Sequence, residues 1–160
     1  MQKYIGYILL LSITLAGCGG DTSDSQLDSN ENDLSGTSVA KKIRTEADLV
    51  FKTLVARNEK KQVFVFCIPV NQELNLKKAA AASGNKRIEM VRLNELLPLT
   101  GYIRGGCSPL GMKKEYPVMI EETAQNLEKI YISAGIRGMQ VEISPFDLAE
   151  IIKANFADVI

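Results

Sequence analysis

The sequence predicts a mixed α/β (α+β) domain, built on a mostly antiparallel or mixed sheet that curls toward a barrel and carries flanking helices. Three observations lead there. Residues 63–70 form an apolar, β-branched run with the length and composition of a buried central strand. Residues 75–83 are alanine-rich and stop at Gly84, as a short helix does. Strand-like and helix-like stretches then follow one another without the strict βαβ alternation of a doubly wound parallel sheet, and no internal repeat is visible. At 160 residues the chain holds one core-bearing domain and a tail.

Taken in order, residues 1–17 have the features of a lipoprotein-type signal peptide. Lys3 supplies the positive start, residues 4–16 are apolar apart from Gly6, Ser12 and Thr14, and Leu15-Ala16-Gly17-Cys18 matches a lipobox whose cysteine is the lipidated residue. The apolar run has the length of a signal core rather than a membrane span. Residues 18–38 are rich in Ser, Asp, Asn and Gly, carry five acids and no base, and bury too little surface to offset their ordering entropy. They read as a flexible tether, which leaves residues 39–160 as the folded domain.

Within that domain Ser38 caps a short helix over 39–43, and Thr45 with Asp48 three residues on suggests a second cap. Residues 51–56 read as a strand with Phe51, Thr53 and Val55 on one face and Lys52, Leu54 and Ala56 on the other. A turn over 58–62 leads into the central strand. Residues 88–91 form a short strand, and Asn94 opens one helical turn that Pro98 ends. Strands are predicted over 118–120 and 130–133 around a helical turn at 123–127. Residues 140–143 alternate like a strand. Ser144-Pro145-Phe146-Asp147 is a helix start, with serine at the cap, proline at the first turn and an acid behind it. That helix is expected to reach about Asn155, with a last strand over 156–159.

Composition excludes several chemistries. The chain has no histidine, so Ser-His-Asp and Cys-His catalysis and histidine-ligated zinc are ruled out. Cys18, Cys67 and Cys107 lack CxxC spacing, which supports neither a zinc site nor a redox pair. Cys67 reads as a core thiol, and Cys107 has no base to activate it. Total charge is zero, yet residues 39–160 hold 18 Lys and Arg against 14 Asp and Glu. That mild excess suits a polyanionic partner without specifying one.

The stretch from Thr100 to Lys114 is the most distinctive. Gly101, Gly105, Gly106 and Gly111 with Pro109 make a poor helix or strand but a good concave loop, whose main-chain N–H groups suit a carbonyl, hydroxyl or phosphate oxygen. A second turn of this kind follows Ser133 through Gly135 and Gly138. Lys52 stands among apolar neighbours, where a partly desolvated ammonium holds a directed charge; a packed stem with its head in water is the plainer alternative. Arg104, Lys113 and Lys114 read as phosphate contacts or as solvated surface charge.

Three spaced motifs, Phe51-Lys52-Thr53-Leu54, Gly105-Gly106-Cys107-Ser108-Pro109 and Ser133-Ala134-Gly135-Ile136-Arg137-Gly138, together resemble the YbaK/EbsC family from about residue 35 to residue 160. The resemblance implies the fold of the prolyl-tRNA synthetase editing domain and deacylation of mischarged aminoacyl-tRNA, chiefly Cys-tRNA(Pro). It implies no metal and no cofactor. The implied partners are the acceptor end of aminoacyl-tRNA and, further, prolyl-tRNA synthetase. In the implied site Lys52, Gly105 and Ser133 are catalytic, while Thr53, Tyr102, Gly106, Ser108, Gly135 and Gln140 bind substrate. Tyr102 either lines the site or packs behind it. Several members carry an acid where this chain has Gln140, so the contact to the substrate amine becomes a neutral hydrogen bond.

Members also begin with a helix and a strand that the signal and tether replace in this chain. The implied substrate is cytosolic, whereas the lipobox implies membrane anchoring through Cys18. Both addresses stay open, and so does a second function: an exported, lipid-anchored binding protein that reuses the fold without tRNA.

Overall fold

The computed structural model describes residues 46–160, so the signal, the tether, Cys18 and the caps at Ser38 and Thr45 lie outside the described residues. A 3-10 turn, Ala47–Leu49, leads into strand β1, Phe51–Asn58. There follow β2 (Val63–Pro69), α1 (Leu76–Ala82), β3 (Ile88–Met90), α2 (Leu93–Thr100) and β4 (Val118–Glu121). A second 3-10 turn, Glu122–Asn126, precedes β5 (Ile130–Ser133), β6 (Gln140–Ile143), α3 (Pro145–Ile152) and β7 (Asn155–Ala157).

Five strands form one sheet in the order β3-β1-β2-β4-β7, and β5 and β6 form a separate antiparallel pair. β1 runs antiparallel to β2 and β3, whereas β2–β4 and β4–β7 are parallel. The sheet is therefore mixed, as the element pattern predicts. All seven residues of β2 are buried, because the strand is central and covered on both faces. Val65 and Cys67 join Phe51, Ile120, Ile132 and Leu148 on one face; Phe64, Phe66 and Ile68 join Ala56, Met119 and the α1 alanines on the other. Each fully buried large side chain contributes about 1.5–3 kcal/mol.

Caps account for the helix boundaries. Asn75 Oδ1 accepts from the N–H groups of Lys77 and Lys78 at 3.1 and 3.2 Å, which fixes the start of α1 against the sheet. α2 is longer than predicted, because Pro98 lies inside it rather than ending it. Proline removes one hydrogen bond, but the turn is held by Thr100 Oγ1 donating to the Leu96 carbonyl at 2.8 Å, and the helix stops at left-handed Gly101 (φ 87°). α3 starts where predicted, although Ser144 makes no side-chain cap bond. It ends early because Lys153 adopts a left-handed conformation (φ 53°), which turns the chain into β7 beside β4. The buried Glu121 carboxylate accepts from the Val159 N–H at 2.9 Å and latches the last residues onto the sheet.

One feature of the sheet makes room for a site. β2 occupies one edge of β1 along its length. On the other edge β3 pairs only with Ala56–Asn58, and Tyr131 of β5 forms a parallel bridge to Val50. Between these contacts Lys52, Thr53 and Leu54 have no strand partner on that edge among the described residues.

Candidate functional site

A cleft of about 570 Å³ opens at this gap. Its floor is the first half of β1, including Lys52 and Thr53. Arg104, Gly105 and Cys107 of the first glycine loop form one side, and Ser133 and Gln140 of the β5–β6 pair another. Val70, Met90, Leu93 and Leu96 supply an apolar wall. The volume lies in the range of pockets that hold a small organic ligand.

Lys52 is half-buried, and its Nζ donates to the Val70 carbonyl at 3.2 Å. Burial pushes its pKa down from the ordinary lysine value, and the charge of Glu73 opposes that shift in part. The ammonium thus has one fixed partner and reduced hydration, which strengthens any contact it makes with an anion or a polarised carbonyl. Ser133 and Gln140 face each other as a registered pair on β5 and β6. The Ser133 hydroxyl accepts from the Gly135 N–H at 3.3 Å, and Ala134 donates to the Met139 carbonyl at 3.0 Å, so the second loop is closed on itself.

The cysteines are poor nucleophiles here. Burial pushes the Cys67 thiol up to about 12 and the Cys107 thiol to about 11. Both are protonated near neutral pH. The Thr53 hydroxyl lies near enough to Cys67, its partner in register, to lower that thiol slightly. Thr53 Oγ1 is buried and meets no partner of standard hydrogen-bond geometry among the described residues. Among the described residues no three His, Cys, Asp or Glu side chains converge as a metal site would require.

Of the residues singled out from the sequence, Lys52, Thr53, Gly105, Ser133 and Gln140 line this cleft, together with Arg104 and Cys107. Tyr102, Gly106, Ser108 and Gly135 do not line it; they form the joint behind it. The Tyr102 hydroxyl donates to the Leu110 carbonyl at 2.6 Å, and the Ser108 hydroxyl accepts from the Leu110 N–H at 3.2 Å. Gly106 is buried, its N–H donates to the Ile103 carbonyl, and a Cβ there would lie 3.4 Å from the Gly135 carbonyl oxygen. That N–H is spent inside the loop. The apolar wall from Met90 to Leu96 escapes sequence reading, since isolated Met and Leu residues at such spacing look like core. Their exposure, 41% for Met90 and 60% for Leu93, is visible only once folded.

The Gly135 position gives a direct test of the joint. Its φ is +90°, and an added Cβ would lie 2.9 Å from Tyr102 Cε1. Gly135→Ala is expected to destabilise the domain by about 1–3 kcal/mol in denaturant unfolding, from backbone strain plus displacement of the ring. Gly84→Ala isolates the strain alone, because Gly84 has φ +68° with nothing within 4 Å of its would-be Cβ. Equal losses in the two variants would show that the Tyr102 contact carries no energy.

Known proteins resemble this chain in sequence and in fold. The aminoacyl-tRNA editing domain family matches residues 34–151. The chain is 48% identical over 130 residues to an Enterococcus faecalis protein, EbsC, named for Cys-tRNA(Pro)/Cys-tRNA(Cys) deacylase activity, covering 81% of this chain and 79% of that one. It is 26% identical over 111 residues to the Bacillus subtilis protein YwhH, covering 69% and 70%. Among solved structures, the hypothetical protein APE2540 superposes with a TM-score of 0.74 at 26% identity, covering 79% and 83%. A structure described as a trans-editing enzyme for prolyl-tRNA synthetase superposes with a TM-score of 0.71 at 23% identity, covering 78% of each chain.

Proposed function

We infer the reaction from one premise: this chain belongs to the aminoacyl-tRNA editing domain family, in its YbaK/EbsC branch. It is an aminoacyl-tRNA deacylase, and its proposed substrate is Cys-tRNA(Pro), the substrate class for which its Enterococcus relative is named. One observation supports the mechanism above the others. The cleft sets a partly desolvated Lys52 and a glycine loop around a space whose one thiol among the described residues, Cys107, is protonated at neutral pH.

With no ionised thiol lining the cleft among the described residues, the substrate supplies its own nucleophile. The cysteinyl sulfur attacks the carbonyl carbon of its ester. Collapse of the tetrahedral intermediate breaks the bond to the ribose oxygen, and the thiol proton ends on that oxygen. The products are a cyclic thiolactone and free tRNA. The nucleophile is already tethered to its target, so the protein contributes orientation and oxyanion stabilisation, which are large terms. Lys52 holds the substrate by its charge, the loop at Gly105 receives the carbonyl or ribose end, and Ser133 and Gln140 hydrogen-bond the aminoacyl group. Incubation of the protein with Cys-tRNA(Pro) is expected to release tRNA and thiolactone, with Ser-tRNA(Pro) much slower because a hydroxyl is the poorer nucleophile. Free cysteine without thiolactone would instead identify water as the attacking group.

The lipobox supports a second reading, an anchored binding protein on the same fold. No helix among the described residues is long and apolar enough to cross a membrane, and in this reading the lipid on Cys18 is the anchor. Cys18→Ser is expected to abolish lipid labelling and block processing, as read by metabolic labelling and mass. Recovery of a soluble product that retains Met1 would remove this reading.

A further inference from the structure

The two glycine-rich loops are joined through a pair of arginines. Arg137 Nε donates to the main-chain carbonyl of Arg104 at 3.1 Å, which fixes the second loop's cation on the backbone of the first. Both side chains are exposed, and Arg104 stands on the cleft's rim beside Gly105. Neither forms an ion pair among the described residues, where the ion-paired cations are Arg57, Lys78 and Lys129. The junction is specified by close backbone approach: a Cβ on Gly106 would lie 3.4 Å from the Gly135 carbonyl oxygen and 3.5 Å from the Arg137 nitrogen. Gly105 and Gly135 add the positive φ values, 84° and 90°, that bring the loops together. The Arg137 guanidinium therefore sits against the backbone of Arg104, and an anion that reaches both side chains meets two charges that no carboxylate offsets among the described residues.

We propose that Arg104 and Arg137 form a clamp for a backbone phosphate of an RNA acceptor strand, the first phosphate outside the cleft. The proposal rests on the reading of the cleft as the site for an aminoacylated RNA end. At about 570 Å³ the cleft takes one small-ligand-sized group, so a terminal nucleoside with its acyl group occupies it and the strand leaves over the rim. Guanidinium suits this task, because its planar donors meet phosphate oxygens in pairs while one nitrogen of Arg137 remains on the Arg104 carbonyl. A phosphate contact of this kind positions the strand without reading sequence.

The test measures binding of uncharged tRNA(Pro) across a salt series, for wild type, Arg104→Gln, Arg137→Gln and Lys60→Gln. Lys60 lies in the exposed turn at the far end of β1 and removes the same formal charge away from the cleft. Each arginine variant is expected to weaken binding several-fold and to lower the slope of log K against log salt by about one, whereas Lys60→Gln keeps the wild-type slope. Arg137→Lys, which keeps the charge but not the fork, is expected to recover the slope and only part of the affinity. Wild-type slopes in both arginine variants, or an equal drop in Lys60→Gln, would overturn the clamp. Binding is read without turnover, so a wild-type protein that binds with this pattern yet cleaves no ester rejects the deacylase reading and leaves the clamp standing.

Discussion

Lys52→Ala is expected to cut Cys-tRNA(Pro) deacylation by about 10²-fold or more, the usual cost of removing one oriented donor from a reacting centre. The side chain is half-buried at the cleft floor, its Nζ is held 3.2 Å from the Val70 carbonyl oxygen, and burial lowers its pKa. A surface lysine that merely packs its stem would lose little on truncation. The fold should survive, since β1 keeps its full register with β2, and far-UV circular dichroism checks this. Cys107→Ala supplies the contrast. Its thiol lines the same cleft but is pushed up to about 11, so its removal is expected to change the rate by less than about threefold. Wild-type activity in Lys52→Ala would refute the proposed role. Loss of activity in Cys107→Ala alone would point to a covalent mechanism on the enzyme.

The parts of the fold legible in the sequence are those that local chemistry determines. β2 shows itself as an unbroken apolar run because both of its faces are covered, and α1 because Asn75 and Gly84 bracket an alanine stretch. β5 and β6 appear with their observed bounds, since each carries its own alternation. The illegible parts depend on distant partners. Nothing local announces that β4 runs parallel to β2, or that Lys153 takes a left-handed conformation without being glycine. Pro98 misleads because proline is judged by what it forbids locally, whereas Thr100 and Gly101 set the actual end of α2.

The candidate site divides in the same way. Lys52, Gly105, Ser133 and Gln140 stand out by residue type or motif, and they meet in one cleft from elements up to 88 positions apart. The gap that creates the cleft is a matter of strand length, because β3 stops at Met90 opposite Ala56 and leaves residues 52–54 uncovered. Gly106 and Gly135 look like ligand-facing glycines when each loop is read alone. Together they are the contact that lets one loop lie on the other, and Gly105 is the loop glycine that lines the cleft.

Phe66→Ala is expected to bring the largest loss of stability, about 3–5 kcal/mol, which is a substantial share of the roughly 5–15 kcal/mol that holds a domain of this size. Phe66 is fully buried on the central strand, packed among Ala56, Ile68, Ala79 and Met119. It also stands opposite Leu54, two residues along from the Lys52–Ile68 pair, so a loosened β2 shifts the cleft floor. Denaturant unfolding should therefore show an earlier midpoint with an unchanged slope, and activity should fall at temperatures where wild type is still folded. Phe146→Ala is the matched control. That ring is 55% exposed and meets Phe156 edge-on at 5.5 Å, so its loss is expected to cost no more than about 1.5 kcal/mol. Similar losses in the two variants would mean that β2 is not the element on which the cleft depends.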